Sequence, residues 1–231
     1  VPEKHIMCFD PMTGKRGIAK TREVEGKTQV YMQLKSGESV ILQTFTRSLQ
    51  GEPEWKYRKE MDYSLSLDHG WKLRFVESYP AIEGEFKIDT PSSWTEVAHP
   101  AAKINRGTAL YSLELDLPEL SADDWILDLG DVRESARVRI NEQEAGVAWA
   151  APFRLSIGQL LKPGKNLIEV EVTNLPANSI AEMDRQGKQW RIFEDINMAK
   201  LNYEKGTYGH WETLPSGLNG IVRLIPVKYL F

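Results

Sequence analysis

The sequence predicts an all-β protein: a jelly-roll β-sandwich preceded by a small β-sheet segment, with one short helix in a long loop. Two-residue alternation of apolar and polar residues recurs in short runs, the period of a half-buried strand. Gly/Pro/Asn/Asp turn signals separate those runs at regular spacing, the pattern of a sandwich. Helical patterns do not alternate with the strands, so a parallel α/β sheet is disfavoured.

Residues 1–50 read as a meander of short strands. Asp10-Pro11-Met12-Thr13-Gly14 places Pro and Gly where a tight turn wants them. Val30, Met32 and Leu34 alternate with Gln29, Tyr31 and Gln33. Lys35-Ser36-Gly37-Glu38 then turns the chain into Val40-Ile41-Leu42. Such a piece buries little alone, and is expected to be the remainder of a preceding β-sandwich or a sheet docked on the main domain. Residues 51–62 are polar and charged and read as a linker, with Trp55 and Tyr57 placed to cap the interface between the two parts.

Residues 63–231 form the main domain. Trp71–Val76 alternates, as does Gly107–Leu117, with Leu113, Leu115 and Leu117 opposite Glu114 and Asp116. Ala136, Val138 and Ile140 face away from Arg137 and Arg139; Ile168, Val170 and Val172 face away from Glu169 and Glu171. Lys162-Pro163-Gly164-Lys165-Asn166 is the turn before that strand, and Ile221–Ile225 makes a closing one. Ser179 followed by Glu182 has capping-box spacing, so a helix is expected from about Ile180 to Gln186, ended by Gly187. The stretch after it, to Gly217, is long, irregular and aromatic, and connections of that length are usually functional or poorly ordered.

Composition narrows the function classes. Hydrophobic residues make up 41% of 231, enough for a core. The net charge is −4 and the basic cluster Lys56, Arg58, Lys59 is interleaved with acids, so nothing points to nucleic acid. No apolar run reaches the ~18 residues that span a bilayer. Cys8 is the one cysteine, so no internal disulfide forms and the redox compartment stays unread. No signal peptide is visible at the N-terminus of the sequence, which opens on Val1; a processed start, or a piece of a longer protein, is expected.

Four phrases then carry a likeness: LDLGDV (127–132), ESARVRINEQEAG (134–146), APFRLSIGQLLKPGKNLIEVEVTN (151–174) and LPSGLNGIVRL (214–224). They resemble the galactose-binding-like, sugar-binding domain of family 2-type glycoside hydrolases. The version closest in wording lies at the C-terminal end of large α-L-rhamnosidase-like hydrolases (family 106) of Bacteroides-type bacteria. CFDPMTGKRGIA with VYMQLKSGESVILQTF resembles the piece preceding that domain. The likeness covers almost the whole chain in order. It departs at Asn141-Glu142, where the family often has Asn-Gly, so the turn there must be built differently or be longer, and at Phe9, where Trp is common. The resemblance implies a carbohydrate partner, a catalytic domain on the same parent polypeptide and a periplasmic or secreted setting. It brings no catalytic pair into this chain.

The candidate site lies in the aromatic stretch. Sugars are recognised by flat aromatic faces and by planar or charged hydrogen-bonding partners. Trp190, Arg191, Tyr208, His210, Trp211 and Glu212 supply both, with Asn202 nearby. The alternative is that the aromatics plug one end of the sandwich as core, which fits Trp190 equally well beside Ile192 and Phe193. Trp71, Trp94 and Trp125 sit in strand patterns as core, and Trp149 between two alanines reads as core or interface. Carboxylates for glycoside hydrolysis would come from Glu194, Asp195, Glu204 and Glu212, a pair of which must stand ~5–10 Å apart. The four histidines show no metal-ligand spacing. A structural calcium sometimes accompanies such sandwiches, and Asp184, Asp195 and Asn197 offer oxygens for one, but no D-x-D-x-D-G loop supports it; no other cofactor is expected.

The leading expectation is a non-catalytic carbohydrate-binding or bracing module of a bacterial glycoside hydrolase acting on plant or host glycans. The rivals are a purely structural interdomain sandwich without sugar affinity, and a compact glycoside hydrolase using the carboxylates just named.

Overall fold

A computed structural model describes residues 5–119, 121–191 and 206–231. The chain opens with β1 (His5–Phe9), β2 (Arg16–Ile18), the hairpin β3 (Thr21–Val24) and β4 (Lys27–Val30), and β5 (Ile41–Phe45). β1 is the middle of a three-stranded sheet, ordered β2-β1-β5. The Asp10–Gly14 turn forms as its residues require: Gly14 N–H donates to the Asp10 carbonyl at 2.8 Å and Met12 N–H to the Asp10 carboxylate at 2.9 Å. Among the described residues Ile6, Cys8 and Ala19 make a small buried cluster here, with Val30, Val40 and Trp55 against it. β4 ends at Val30, so Met32 and Leu34 lie outside the strand expected of them.

The connection from this piece runs straight into the sandwich. Arg58–Glu60, within the stretch read as linker, is strand β6, paired with the last strand of the chain. Tyr57 takes the capping position expected of it: it is buried, its hydroxyl accepts from Lys20 N–H at 2.9 Å and donates to the Tyr31 carbonyl at 3.0 Å, and its ring meets Tyr31 and Phe231 edge-on. The Gln33 side-chain amide pairs with the Arg58 backbone in both directions at 2.9 Å.

After β6 come β7 (Leu65–Ser66), β8 (Trp71–Tyr79), β9 (Glu85–Ile88), β10 (Arg106–Leu117), β11 (Asp124–Asp128), β12 (Val132–Arg133), β13 (Ser135–Ile140), β14 (Gln143–Ala148), β15 (Arg154–Ser156) and β16 (Gly164–Thr173). Helix α1 (Ala177–Arg185), β17 (Gly217–Leu218) and β18 (Arg223–Tyr229) complete it. One sheet has six strands in the order β14-β13-β16-β10-β8-β9. The other runs β15-β11-β18-β6, with β7 also on β18. One core cluster draws on both sheets, so it fills the space between them. The all-β sandwich predicted from sequence is what forms.

Alternation explains the packing. The register of β10 with β16 runs unbroken from Thr108 opposite Thr173 to Leu117 opposite Gly164. Tyr111, Val170 and Val138 therefore stand side by side, all buried, while Glu171 and Arg139 turn outward and pair at 3.2 Å. On the second sheet Leu127 lies between Leu155 and Leu224 and is fully buried. Trp71, Trp94 and Trp125 are core as expected, although Trp94 sits in a short 3₁₀ turn (Trp94–Glu96) and not in a strand. Of the two places expected for Trp149, core or interface, the core is excluded: it is 57% exposed. It follows the end of β14, an edge strand of the six-stranded sheet, where no described strand covers it.

The hairpin at Asn141-Glu142 is a two-residue turn after all, with both residues at positive φ (52° and 69°), the type I′ geometry. Glu142 occupies a position that suits glycine. The Asn141 side chain holds the turn by donating to the Leu160 carbonyl and to the Asn166 amide oxygen, each at 2.9 Å, and by accepting from Leu167 N–H at 3.0 Å. Asn166 in turn closes the Lys162–Asn166 turn, bonding Lys162 at both its N–H and its carbonyl.

A buried carboxylate ties the second sheet to the chain terminus. Asp124 accepts from Trp125 N–H (2.8 Å), Gly158 N–H (2.9 Å), the Ser156 hydroxyl and the Tyr229 hydroxyl (3.2 Å), with the Arg58 guanidinium at 3.8 Å. A Cβ on Gly158 would stand 2.4 Å from the carboxylate, so glycine is required there. Burial pushes this carboxyl up, but the hydrogen bonds from Ser156, Trp125 and Gly158 and the charge of Arg58 outweigh it and hold the carboxyl below its ordinary range.

Two predictions follow from this packing. Leu127→Ala should lower unfolding free energy by about 2–5 kcal/mol in urea titration. Ile41→Ala, at a site 58% exposed, should change it by less than about 0.5 kcal/mol. The Asp124 carboxylate is held more tightly in the folded than in the unfolded chain. Its stabilisation is therefore complete above about pH 4 and is lost as pH falls through the depressed folded value. Urea midpoints measured from about pH 6 down to about pH 2 should fall at the acid end, and Asp124→Asn should flatten that fall.

Candidate functional site

The aromatic candidates stand on a strap, residues 206–217, that the fold pins from two sides. Helix α1 begins at Ala177, one turn earlier than expected, and Ser179 is buried within its first turn instead of capping it. Pro176 takes the cap position, where its missing N–H costs nothing. Glu182, expected as the capping-box partner, bonds Arg185 at 2.8 Å and Gln186 at 2.6 Å.

The inner face of α1 grips the strap. The buried Asn178 amide makes two 2.8 Å hydrogen bonds with the Leu214 backbone, donating to its carbonyl and accepting from its N–H. Arg185 donates to the Gly209 carbonyl at 3.1 Å. Asp184 accepts from the Trp190 indole N–H with one oxygen and from Tyr208 N–H with the other. At the far end Ser216 N–H donates to the Ser93 hydroxyl at 2.9 Å, and the Ser216 carbonyl accepts from Trp94 N–H at 2.9 Å. Gly217 follows at φ +96°; a Cβ there would lie 2.1 Å from the Tyr111 hydroxyl and 2.9 Å from the Trp94 ring.

Between these anchors the rings pack on one another. Trp190 and Tyr208 have centroids 5.8 Å apart, and Tyr208 and Trp211 4.6 Å apart, all tilted. The Arg191 guanidinium lies over Trp190 at 4.8 Å and Tyr208 at 5.4 Å, and its terminal N–H donates to the Gly206 carbonyl. Arg191 thus caps the faces that Trp190 and Tyr208 would offer a ligand. Trp211 is the outermost ring at 41% exposure, flanked by exposed His210 and Glu212. All six candidates fall in one neighbourhood, but unequally placed: Trp211 carries the accessible face, Tyr208, Trp190 and Arg191 pack in a row beside it, and His210 and Glu212 flank it at the surface.

Glu194, Asp195 and Glu204, with Asn197, Asn202 and Phe193, lie outside the described residues. For calcium, both oxygens of Asp184 already accept protein N–H donors, and among the described residues no group of three or more His, Cys, Asp or Glu side chains assembles a metal site.

No sequence pattern announces an open cleft of about 880 Å³ that lies beside the strap. Pro91, Ser93 and Thr95 form its buried floor; Glu96, Lys103, Asp131 and Thr213 stand around it. Four separate segments meet here, and no spacing within one segment announces that meeting. Among the described residues, no helix is long and apolar enough to cross a membrane.

No family model matches the chain. A putative beta-glucuronidase of Formosa agariphila is 29% identical over 197 residues, which cover 77% of this chain and 17% of that protein. The solved rhamnosidase from Novosphingobium sp. PP1Y superposes with a TM-score of 0.73 at 25% identity, over 97% of this chain and 21% of that one. Over nearly its whole length, the chain is similar to a sandwich region that makes up about a fifth of a larger glycoside hydrolase.

Proposed function

We propose that the chain is a non-catalytic carbohydrate-binding module of a larger bacterial glycoside hydrolase that acts on plant or host glycans. One observation carries this reading: Trp211 presents its ring from a strap held on both sides by buried side chains, beside the polar groups of His210 and Glu212. A fixed aromatic face with polar neighbours is what the apolar side of a pyranose needs. The likeness to part of a rhamnosidase supports the same substrate class. The reading carries with it a periplasmic or secreted setting, where such glycans are met.

A bracing role is the second reading, and separate observations favour it. Among the described residues β5 pairs with β1 alone, and both of its faces show large apolar side chains to solvent: Ile41 on the Phe9 side and Leu42 on the Cys8 side. With Trp149, these are surfaces that a neighbouring domain of the same polypeptide would cover.

Calorimetric titration with a panel of rhamnose-containing and other plant glycans tests the first reading. Trp211→Ala should weaken binding about tenfold, the loss of roughly 1.4 kcal/mol. Binding of no glycan by the unsubstituted chain would leave the bracing role alone.

A further inference from the structure

We propose that the cleft beside the strap is a second sugar subsite, contiguous with Trp211 and built for a neutral sugar unit rather than a uronate. This rests on the carbohydrate-binding reading above and adds to it a place and a ligand chemistry.

The cleft has the size of a small-molecule site: about 880 Å³, within the ~300–1,000 Å³ such sites span. Its walls are set by backbone contacts, so the shape exists before a ligand arrives. β12 and β17 pair at Val132 opposite Leu218. Asn219 N–H donates to the Asp131 carbonyl at 2.8 Å. Gly220 approaches so closely that a Cβ would stand 2.5 Å from Asp131 N, and across the cleft Ser93 bonds Ser216. Preorganised polar walls lower the ordering cost of binding.

The hydrogen-bonding capacity left over points to hydroxyl groups. On the floor, the Ser93 and Thr95 hydroxyls bond each other at 2.7 Å, so they are already engaged. Around the rim, the side chains of Glu96, Lys103 and Thr213 make no hydrogen bond or ion pair among the described residues, leaving a carboxylate acceptor, an ammonium donor and a hydroxyl free for a ligand. Pro215 adds an apolar surface for ring C–H groups.

Charge decides which sugar. Asp131 is paired with Arg133, whose Nε lies 2.8 Å from the carboxylate, so that pair is near neutral. Glu96 and Lys103 balance one another in sign. No net positive charge remains to hold a sugar carboxylate, because Glu96 offsets Lys103. A neutral polyhydroxylated ring meets donors and acceptors without an uncompensated charge. Trp211 precedes Thr213 by two residues on the same strap, so one oligosaccharide can span both places.

The test is a ¹⁵N-edited NMR titration of the full chain with a neutral rhamnose-containing oligosaccharide, and with an oligogalacturonide of matched length. The neutral sugar should shift the amides of Thr95, Thr213 and Asn219 together with the Trp211 indole. Thr213→Trp, which fills the cleft from an exposed position, and Glu96→Ala should each weaken binding several-fold to tenfold. Shifts confined to Trp211, with both variants binding normally, would overturn the subsite and leave the carbohydrate-binding reading standing. Tighter binding of the oligogalacturonide would overturn the neutral chemistry. Binding of neither sugar would overturn both the subsite and the reading on which it rests.

Discussion

The structure depends on one buried side chain more than on any other. Tyr111 stands in the middle of β10, between Val170 and Leu73 in register, and is wholly enclosed. Its hydroxyl crosses the core to the Ser92 carbonyl at 3.4 Å and leaves no space for a Cβ at Gly217. The central strand thereby fixes the segment before Trp94 and the start of β17. Those two segments are the floor of the cleft and the end of the strap. Burial pushes the phenol far above its ordinary range, so the hydroxyl keeps its proton and remains a donor.

From that point the arrangement spreads outward in layers. Ser93 and Ser216 bond each other in both directions beside Tyr111. Asn174, just past β16, reaches the Ser216 hydroxyl at 3.1 Å and the Asn105 carbonyl at 3.0 Å, joining two further loops to the same place. Asn178 then holds Leu214, and Asp184 and Arg185 hold the strap near Tyr208. Side-chain amides do much of this because Asn offers a donor and an acceptor that can close a backbone segment against itself. Trp211 is presented at the end of that chain of contacts.

Much of the framework was legible in the sequence, for a physical reason. A strand with one buried face must alternate, and Ile168-Glu169-Val170-Glu171-Val172 does so without exception. Turns demand particular residues, and Asp10–Gly14 and Lys162–Asn166 contain them. What local pattern cannot convey is pairing across distance. Arg58–Glu60 is too short and charged to announce a strand, and becomes one because β18 presents an open edge to it. Helix α1 starts ahead of Ser179: that residue has the composition of a cap, while its burial is decided by contacts with remote segments. In the site, the aromatic residues stood out by type, but not which ring keeps a free face. Arg191 settles that by covering two of the three, and the cleft, built from distant loops, left no local mark.

The strap bearing Trp211 is a fixed part of the sandwich. Amide hydrogen exchange of Tyr208, Leu214 and Ser216 measures it most directly, since their N–H groups donate to Asp184, Asn178 and Ser93. Protection comparable to that of the edge strands is the predicted result. Exchange at the rate of an unstructured peptide at all three positions would contradict it.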